Sequence, residues 1–197
     1  MAHHANTRVL VVDDHPAVRA GVRALIDAEP GMEAVGEASN EFDLEPELRT
    51  TRPDVVILDY QLQTANGISL GRRIKRGPLP PKVLIYSAFA TEHMTAPALV
   101  AGVDACVDKS IPPRDLAMMV RRLAVGESLL PAITPDALES ALERLAPADR
   151  PLLQSLAEGT PLADLAAEPG IDREALEAQL DRILEALVVD TGAKRPG

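Results

Sequence analysis

Short apolar, β-branched runs recur between residues 8 and 125, at Arg8–Val12, Asp54–Leu58, Lys82–Tyr86 and Ala105–Val107, with a weaker one at Met32–Gly36. Stretches of helical spacing separate them: Pro16–Ala28, Glu41–Thr51, Gly67–Arg76, Thr91–Ala101 and Pro113–Val125. This alternation predicts a parallel sheet covered by helices on both faces, a doubly wound α/β fold of five strands. Val55-Val56-Ile57-Leu58 is apolar throughout, as a strand buried on both faces must be. Pro16 suits the first turn of its helix. Pro46 and Pro97 do not fit as drawn, because a proline in a helix interior costs about 3 kcal/mol. Their helices either begin later or are kinked.

Beyond residue 125 the β-type runs stop. Gly126–Pro135 holds Gly, Ser and two prolines and reads as a linker. Only helical patterns follow, at Asp136–Leu145, Ala148–Glu158, Leu162–Ala167 and Arg173–Leu187, with Gly159 and Gly170 as helix ends. The expected organisation is a disordered start over 1–7, an α/β domain over 8–125, a linker and linker helix over 126–144, a second, all-helical domain over 145–189, and a loose tail over 190–197.

Composition narrows the class. Of 197 residues 46% are hydrophobic but only 2% aromatic, so the core is built from Ala, Val, Leu and Ile. The sequence has neither a run of transmembrane length nor a signal-peptide pattern, and a cytoplasmic protein is expected. The single cysteine, Cys106, excludes an internal disulfide and a cysteine metal cluster. His3 and His4 are expected to be tail residues rather than metal ligands. The net charge is −10, and residues 139–197 contribute −6 of it through 12 acids and 6 bases. That balance opposes non-specific binding to nucleic acid, which needs Lys and Arg facing phosphates.

The candidate chemistry sits at the ends of the strands. Asp13 and Asp14 follow the first, Asp59 ends the third, Ser87 follows the fourth and Lys109 follows the fifth. In an open parallel sheet, ligands bind beyond the carboxyl ends of the strands. Singly, an aspartate there is usually a turn or cap residue. Together, three carboxylates repel one another unless a cation joins them, and Mg²⁺ with oxygen ligands fits. One carboxylate can then act as nucleophile on phosphorus to give an acyl phosphate, with a lysine and a hydroxyl meeting the phosphoryl oxygens. A flavodoxin-like cofactor enzyme is the rival class, but the first strand-to-helix turn has no Gly-rich phosphate loop and presents acid instead.

The text Val11-Val12-Asp13-Asp14-His15-Pro16, then Val55-Val56-Ile57-Leu58-Asp59, Gly67 eight residues on, Ser87-Ala88 and Lys109 resembles a CheY-like receiver domain of a two-component response regulator. The Asp-Asp-His-Pro form resembles the NarL/FixJ subfamily. The resemblance implies that a sensor histidine kinase donates a phosphoryl group to Asp59. It implies Mg²⁺ held by Asp14, Asp59 and the Gln61 backbone carbonyl, with Asp13 assisting through water. It implies that Ser87 and Lys109 contact the phosphoryl group, and that the protein is not an enzyme beyond intrinsic autophosphatase activity. Three positions depart from the pattern. Gln63 stands where the family usually has Pro, Cys106 where it has the switch aromatic, and Pro97 lies in the helix that normally helps to form the signalling face.

Residues 145–189 resemble a LuxR-type helix-turn-helix. Leu145-Ala146-Pro147 matches its start, and Leu152, Leu153, Leu156 and Ala157-Glu158-Gly159 its first helix. Leu165-Ala166 and Gly170-Ile171 match the second helix and turn, and Leu176, Leu180, Ile183, Leu184 and Leu187 the recognition-helix stripe. By resemblance the DNA-facing candidates are Arg173, Glu174, Glu177, Gln179 and Arg182. Yet Asp172–Leu187 carries Asp172, Glu174, Glu177, Asp181 and Glu185 against only Arg173 and Arg182. Carboxylates facing a phosphate backbone are repelled. The expectation is a response regulator that controls transcription by family. Its alternative is a phosphorylation-gated interaction protein whose acidic face meets a basic protein partner, as a homodimer or heterodimer.

Overall fold

The computed structural model describes residues 6–63, 65–88 and 92–188. The expected disordered start and loose tail fall largely outside these residues, as do His3, His4 and Thr91. Five strands, β1 (Thr7–Val12), β2 (Met32–Ala38), β3 (Val55–Asp59), β4 (Lys82–Ser87) and β5 (Ala105–Asp108), form one parallel sheet of order β2-β1-β3-β4-β5. Between them run α1 (Pro16–Ala28), α2 (Glu41–Thr51), α3 (Gly67–Lys75) and α4 (Thr95–Ala101), and α5 (Pro113–Ala124) follows the last.

Strand periodicity sorts the core into two layers. Val9, Val11, Val55 and Ile57 point to the face covered by α1 and α5, where they meet Val22, Ile26, Leu116 and Val120. Their neighbours Leu10, Val12, Val56 and Leu58 point the other way, to Leu44 of α2, Ile68 of α3 and Ala98 of α4. Asp104, buried before β5, takes Lys75 Nζ at 2.9 Å, Lys82 Nζ at 2.8 Å and the Val83 amide at 2.9 Å, which ties α3 and β4 to this edge.

The two awkward prolines are accommodated differently. Glu92–Met94 is a 3₁₀ turn and α4 begins only at Thr95, so Pro97 lies in the first turn, where its missing N–H has no intrahelical partner to lose. Pro46 stays inside a continuous α2, which is capped by Asn40 through the amides of Phe42 and Asp43. Gly67 starts α3 against the backbone of β3. Its amide donates to Tyr60 O at 2.7 Å, and a Cβ there would stand 2.0 Å from Asp59 O.

After α5 the chain crosses residues 126–134 and forms α6 (Pro135–Glu143), α7 (Arg150–Ala157), α8 (Leu162–Ala167) and α9 (Arg173–Leu187). Thr134 caps α6 and Asp172 caps α9. The α6 and α7 helices are shorter than the sequence pattern suggests, because Leu145-Ala146-Pro147 turns the chain between them. The leucines of α7 and α9 do not close a core of their own. Leu153, Leu156, Leu180, Ile183, Leu184 and Leu187 join the same apolar cluster as α3 and α4.

Candidate functional site

The sheet brings the ends of β1, β3, β4 and β5 to one edge. Asp13 follows β1 and is 2% exposed, Asp59 ends β3 at 5%, and Ser87 ends β4 at 1%. Lys109 follows β5, with its amide bonded to Ser87 O at 2.8 Å. Ligand atoms of Asp13, Asp14, His15 and Asp59 all lie within 4.8 Å of one another. Lys109 Nζ stands among them, 2.6 Å from Asp13 Oδ2 and 3.0 Å from Asp59 Oδ1. Gln61 sits in the loop beyond β3, pairs with Asn66 as an isolated bridge and bonds the Asp59 carboxylate through its backbone. The five residues of the strand-end pattern, Asp13, Asp14, Asp59, Ser87 and Lys109, therefore lie at this edge, with Gln61 beside them.

Burial pushes the Asp59 carboxyl above its ordinary value, the hydrogen bond from Lys109 pulls it back, and the Asp13 charge pushes it up again. For Lys109 burial works against the charge, but the hydrogen bonds to Asp13 and Asp59 outweigh it and raise its pKa. One ammonium thus faces three carboxylates. Asp14 Oδ1 is buried and makes no hydrogen bond, although His15 Nδ1 stands 2.6 Å away. An excess of negative charge and an unmet carboxylate oxygen fit a small hard cation with oxygen ligands.

Several participants carry no sequence signal. Arg19 Nη1 donates to Asp13 O at 2.6 Å. Tyr86 OH donates to Lys109 O at 3.3 Å, and Lys109 Nζ lies 5.7 Å from the Tyr86 ring centroid. Cys106 packs beside the α3–α4 core layer, and burial pushes its thiol up to about 12.

The candidate DNA-facing residues scatter. Arg173 and Glu174 are exposed. Gln179 Nε2 donates to Ala148 O at 3.2 Å and Arg182 Nη2 contacts Asp149 Oδ1 at 3.4 Å. Glu177 corrects the expectation: its side chain is partly in solvent, but its carboxylate turns to the arginines of the α3 region. Its carboxylate pairs with Arg72 and, at 2.8 Å, with Arg76 Nε. Asp181 joins it, 2.5 Å from Arg76 Nη2 and 3.6 Å from Arg72 Nε. The sequence signal is a basic pair four residues apart, Arg72 of α3 and Arg76 at its C-cap, and an acidic pair four residues apart on α9.

Residues 9–121 match the family described as "Response regulator receiver domain". Over 198 residues the chain is 27% identical to the nitrate/nitrite response regulator protein NarL of Escherichia coli, covering 95% of this chain and 92% of that one. Over 190 residues it is 30% identical to the DNA-binding transcriptional activator DevR/DosR of Mycobacterium tuberculosis, covering 91% and 88%. A two-component response regulator of the LuxR family from Aurantimonas sp. superposes with a TM-score of 0.61 at 31% identity, over 68% of this chain and 97% of that one. The chain belongs to the response regulators of two-component systems and is of the NarL type. Regulators of this family are signal transducers rather than metabolic enzymes. Among the described residues, no helix is long and apolar enough to cross a membrane.

Proposed function

We propose that this chain is cytoplasmic and that its Asp59 accepts a phosphoryl group from the phosphohistidine of a sensor histidine kinase. The observation that supports this most strongly is the Asp59 carboxylate itself. It is buried at the end of β3, beside Asp13 and 3.0 Å from the Lys109 ammonium. In the transfer a carboxylate oxygen forms the bond to phosphorus as the bond from phosphorus to the histidine nitrogen breaks, and the nitrogen keeps that electron pair. Lys109 and the Ser87 hydroxyl donate to the phosphoryl oxygens. Asp14, Asp59 and the Gln61 carbonyl would hold Mg²⁺, with Asp13 assisting through water; when bound, the ion offsets charge on the transferring group. Slow loss of the phosphoryl group to water is the one catalytic property this reading includes.

The same reading divides the chain into a receiver over 8–125, a linker and linker helix over 126–144 and a helix-turn-helix-like output domain over 145–189. Transcriptional control is the role of the relatives, and this chain inherits it with an output helix whose Glu177 and Asp181 are engaged with α3. DNA contact or dimer formation therefore has to use other surfaces. The reading is tested by incubating the full chain with a small phosphodonor and Mg²⁺. Labelling that stops on chelation and on Asp59→Asn supports it; equal labelling of that variant overturns it.

A further inference from the structure

The lysine at the site reaches it across another strand. Sheet order places β4 between β5, which Lys109 follows, and β3, which Asp59 ends. Neighbouring strands lie about 4.8 Å apart, so Lys109 Nζ has to cross the face of β4 to stand 3.0 Å from Asp59 Oδ1. Strand alternation decides what it crosses. Side chains two residues apart share a face of the sheet, which puts Tyr86 with Leu84, packed against the layer that also holds Ile57 and Val107. Tyr86 is the register partner of Asp59 on one side and of Val107 on the other. The bond from the Lys109 amide to Ser87 O at 2.8 Å carries the β5 ladder one residue on, and so sets Lys109 on the same face as Val107. The half-buried Tyr86 ring therefore lies in the lysine's path. Lys109 Nζ is 5.7 Å from its centroid, and Tyr86 OH donates to Lys109 O at 3.3 Å.

We propose that Tyr86 is a positioning residue for Lys109: its ring is the saddle that carries the ammonium to Asp59, and its hydroxyl holds the lysine's backbone. A cation within about 6 Å of an aromatic centroid is attracted by the ring quadrupole. That attraction acts on a balance that the carboxylates leave uneven. Asp13 Oδ2 takes Nζ at 2.6 Å and Asp59 Oδ1 at 3.0 Å, so without the ring the ammonium is free to swing toward Asp13 or out to solvent. Burial raises the phenol above its ordinary 10.0 and Lys109 pulls it back in part, so the hydroxyl remains a donor at neutral pH. The effect of Tyr86 on phosphoryl transfer runs through Lys109 and rests on Asp59 being the acceptor. Its effect on the lysine does not.

The test uses the full chain with Tyr86→Leu, which keeps an apolar side chain in the layer, and Tyr86→Phe, which keeps the ring. Acylation of each lysine by an amine reagent in chelator is read by peptide mass spectrometry. Phosphorylation by a small phosphodonor with Mg²⁺ is timed separately. Tyr86→Leu should raise the acylation rate of Lys109 about fivefold, leave Lys75 and Lys82 in their pairs with Asp104 unchanged, and slow phosphorylation by a similar factor. Tyr86→Phe should stay within about twofold of wild type in both readouts. Four results would each overturn the proposal: Lys109 unchanged in Tyr86→Leu, all three lysines faster together, Tyr86→Phe as fast as Tyr86→Leu, or a loosened Lys109 with phosphorylation at the wild-type rate. A wild-type chain that takes no phosphoryl group overturns the Asp59 reading instead, and acylation of Lys109 still decides the role of Tyr86.

Discussion

Lys109 Nζ stands 3.0 Å from Asp59 Oδ1 while bonding Asp13 Oδ2 at 2.6 Å, so one ammonium ties together carboxylates that end two adjacent strands. Lys109→Ala leaves two buried like charges with no counter-charge. The fold should lose about 3 kcal/mol, the low end of the range for breaking a buried pair. Urea unfolding at neutral pH measures this. Millimolar Mg²⁺ should recover part of the loss, because it binds the folded state alone.

Wild-type protein should itself melt at a higher temperature in Mg²⁺ than in chelator. The cluster of Asp13, Asp14 and Asp59 offers oxygen ligands only in the folded chain. Asp14→Ala should abolish most of the Mg²⁺-dependent shift. A shift that persists in that variant would place the ion elsewhere.

Burial dominates the Asp59 environment and raises its carboxyl above 3.8, the ordinary value. A raised acid holds its proton longer in the folded state than in the unfolded one. Its contribution to stability is therefore fullest below 3.8 and is lost as pH rises through the folded value. Asp59→Asn removes that penalty. It should be more stable than wild type at pH 7, and the difference should vanish as pH falls below 3.8. Paired melts across an acid series give the comparison; a variant less stable at neutral pH would show that the Lys109 pairing outweighs burial.

Most of this site was legible because receiver chemistry is a strand-end property. The apolar runs that end at Val12 and Leu58 place Asp13, Asp14 and Asp59 whatever the loops do. The start of α4 was less legible: Pro97 signalled an irregularity, and the structure resolves it as a 3₁₀ turn before a late helix start. The seat of α9 was hidden. Its acidic row reads in the sequence as a face for a separate basic protein, since Arg76 and Asp181 lie 105 residues apart and only packing brings them to 2.5 Å. Local periodicity carries no information about that meeting.

Burial pushes the Cys106 thiol up to about 12. Almost no thiolate exists at pH 8, and the thiolate is the reactive form. Alkylation of native protein should be at least about tenfold slower than in denaturant. Fast native labelling would mean that β5 opens readily.

With Glu177 and Asp181 paired to α3 and −6 carried by residues 139–197, the full chain should show no sub-micromolar affinity for random DNA even at low salt. Fluorescence titration over a salt series decides this. Tight binding with a steep negative salt dependence would mean that α9 leaves its seat or that another surface reads DNA.

The most direct measurement locates the phosphoryl group. The full chain is incubated with a small phosphodonor and Mg²⁺, treated with borohydride, which reduces an aspartyl phosphate to homoserine, and mapped by peptide mass spectrometry. The account predicts homoserine at position 59 and nowhere else, lost in Asp59→Asn. Homoserine at Asp13 or Asp14 in the wild-type chain, or none with the site intact, would contradict it.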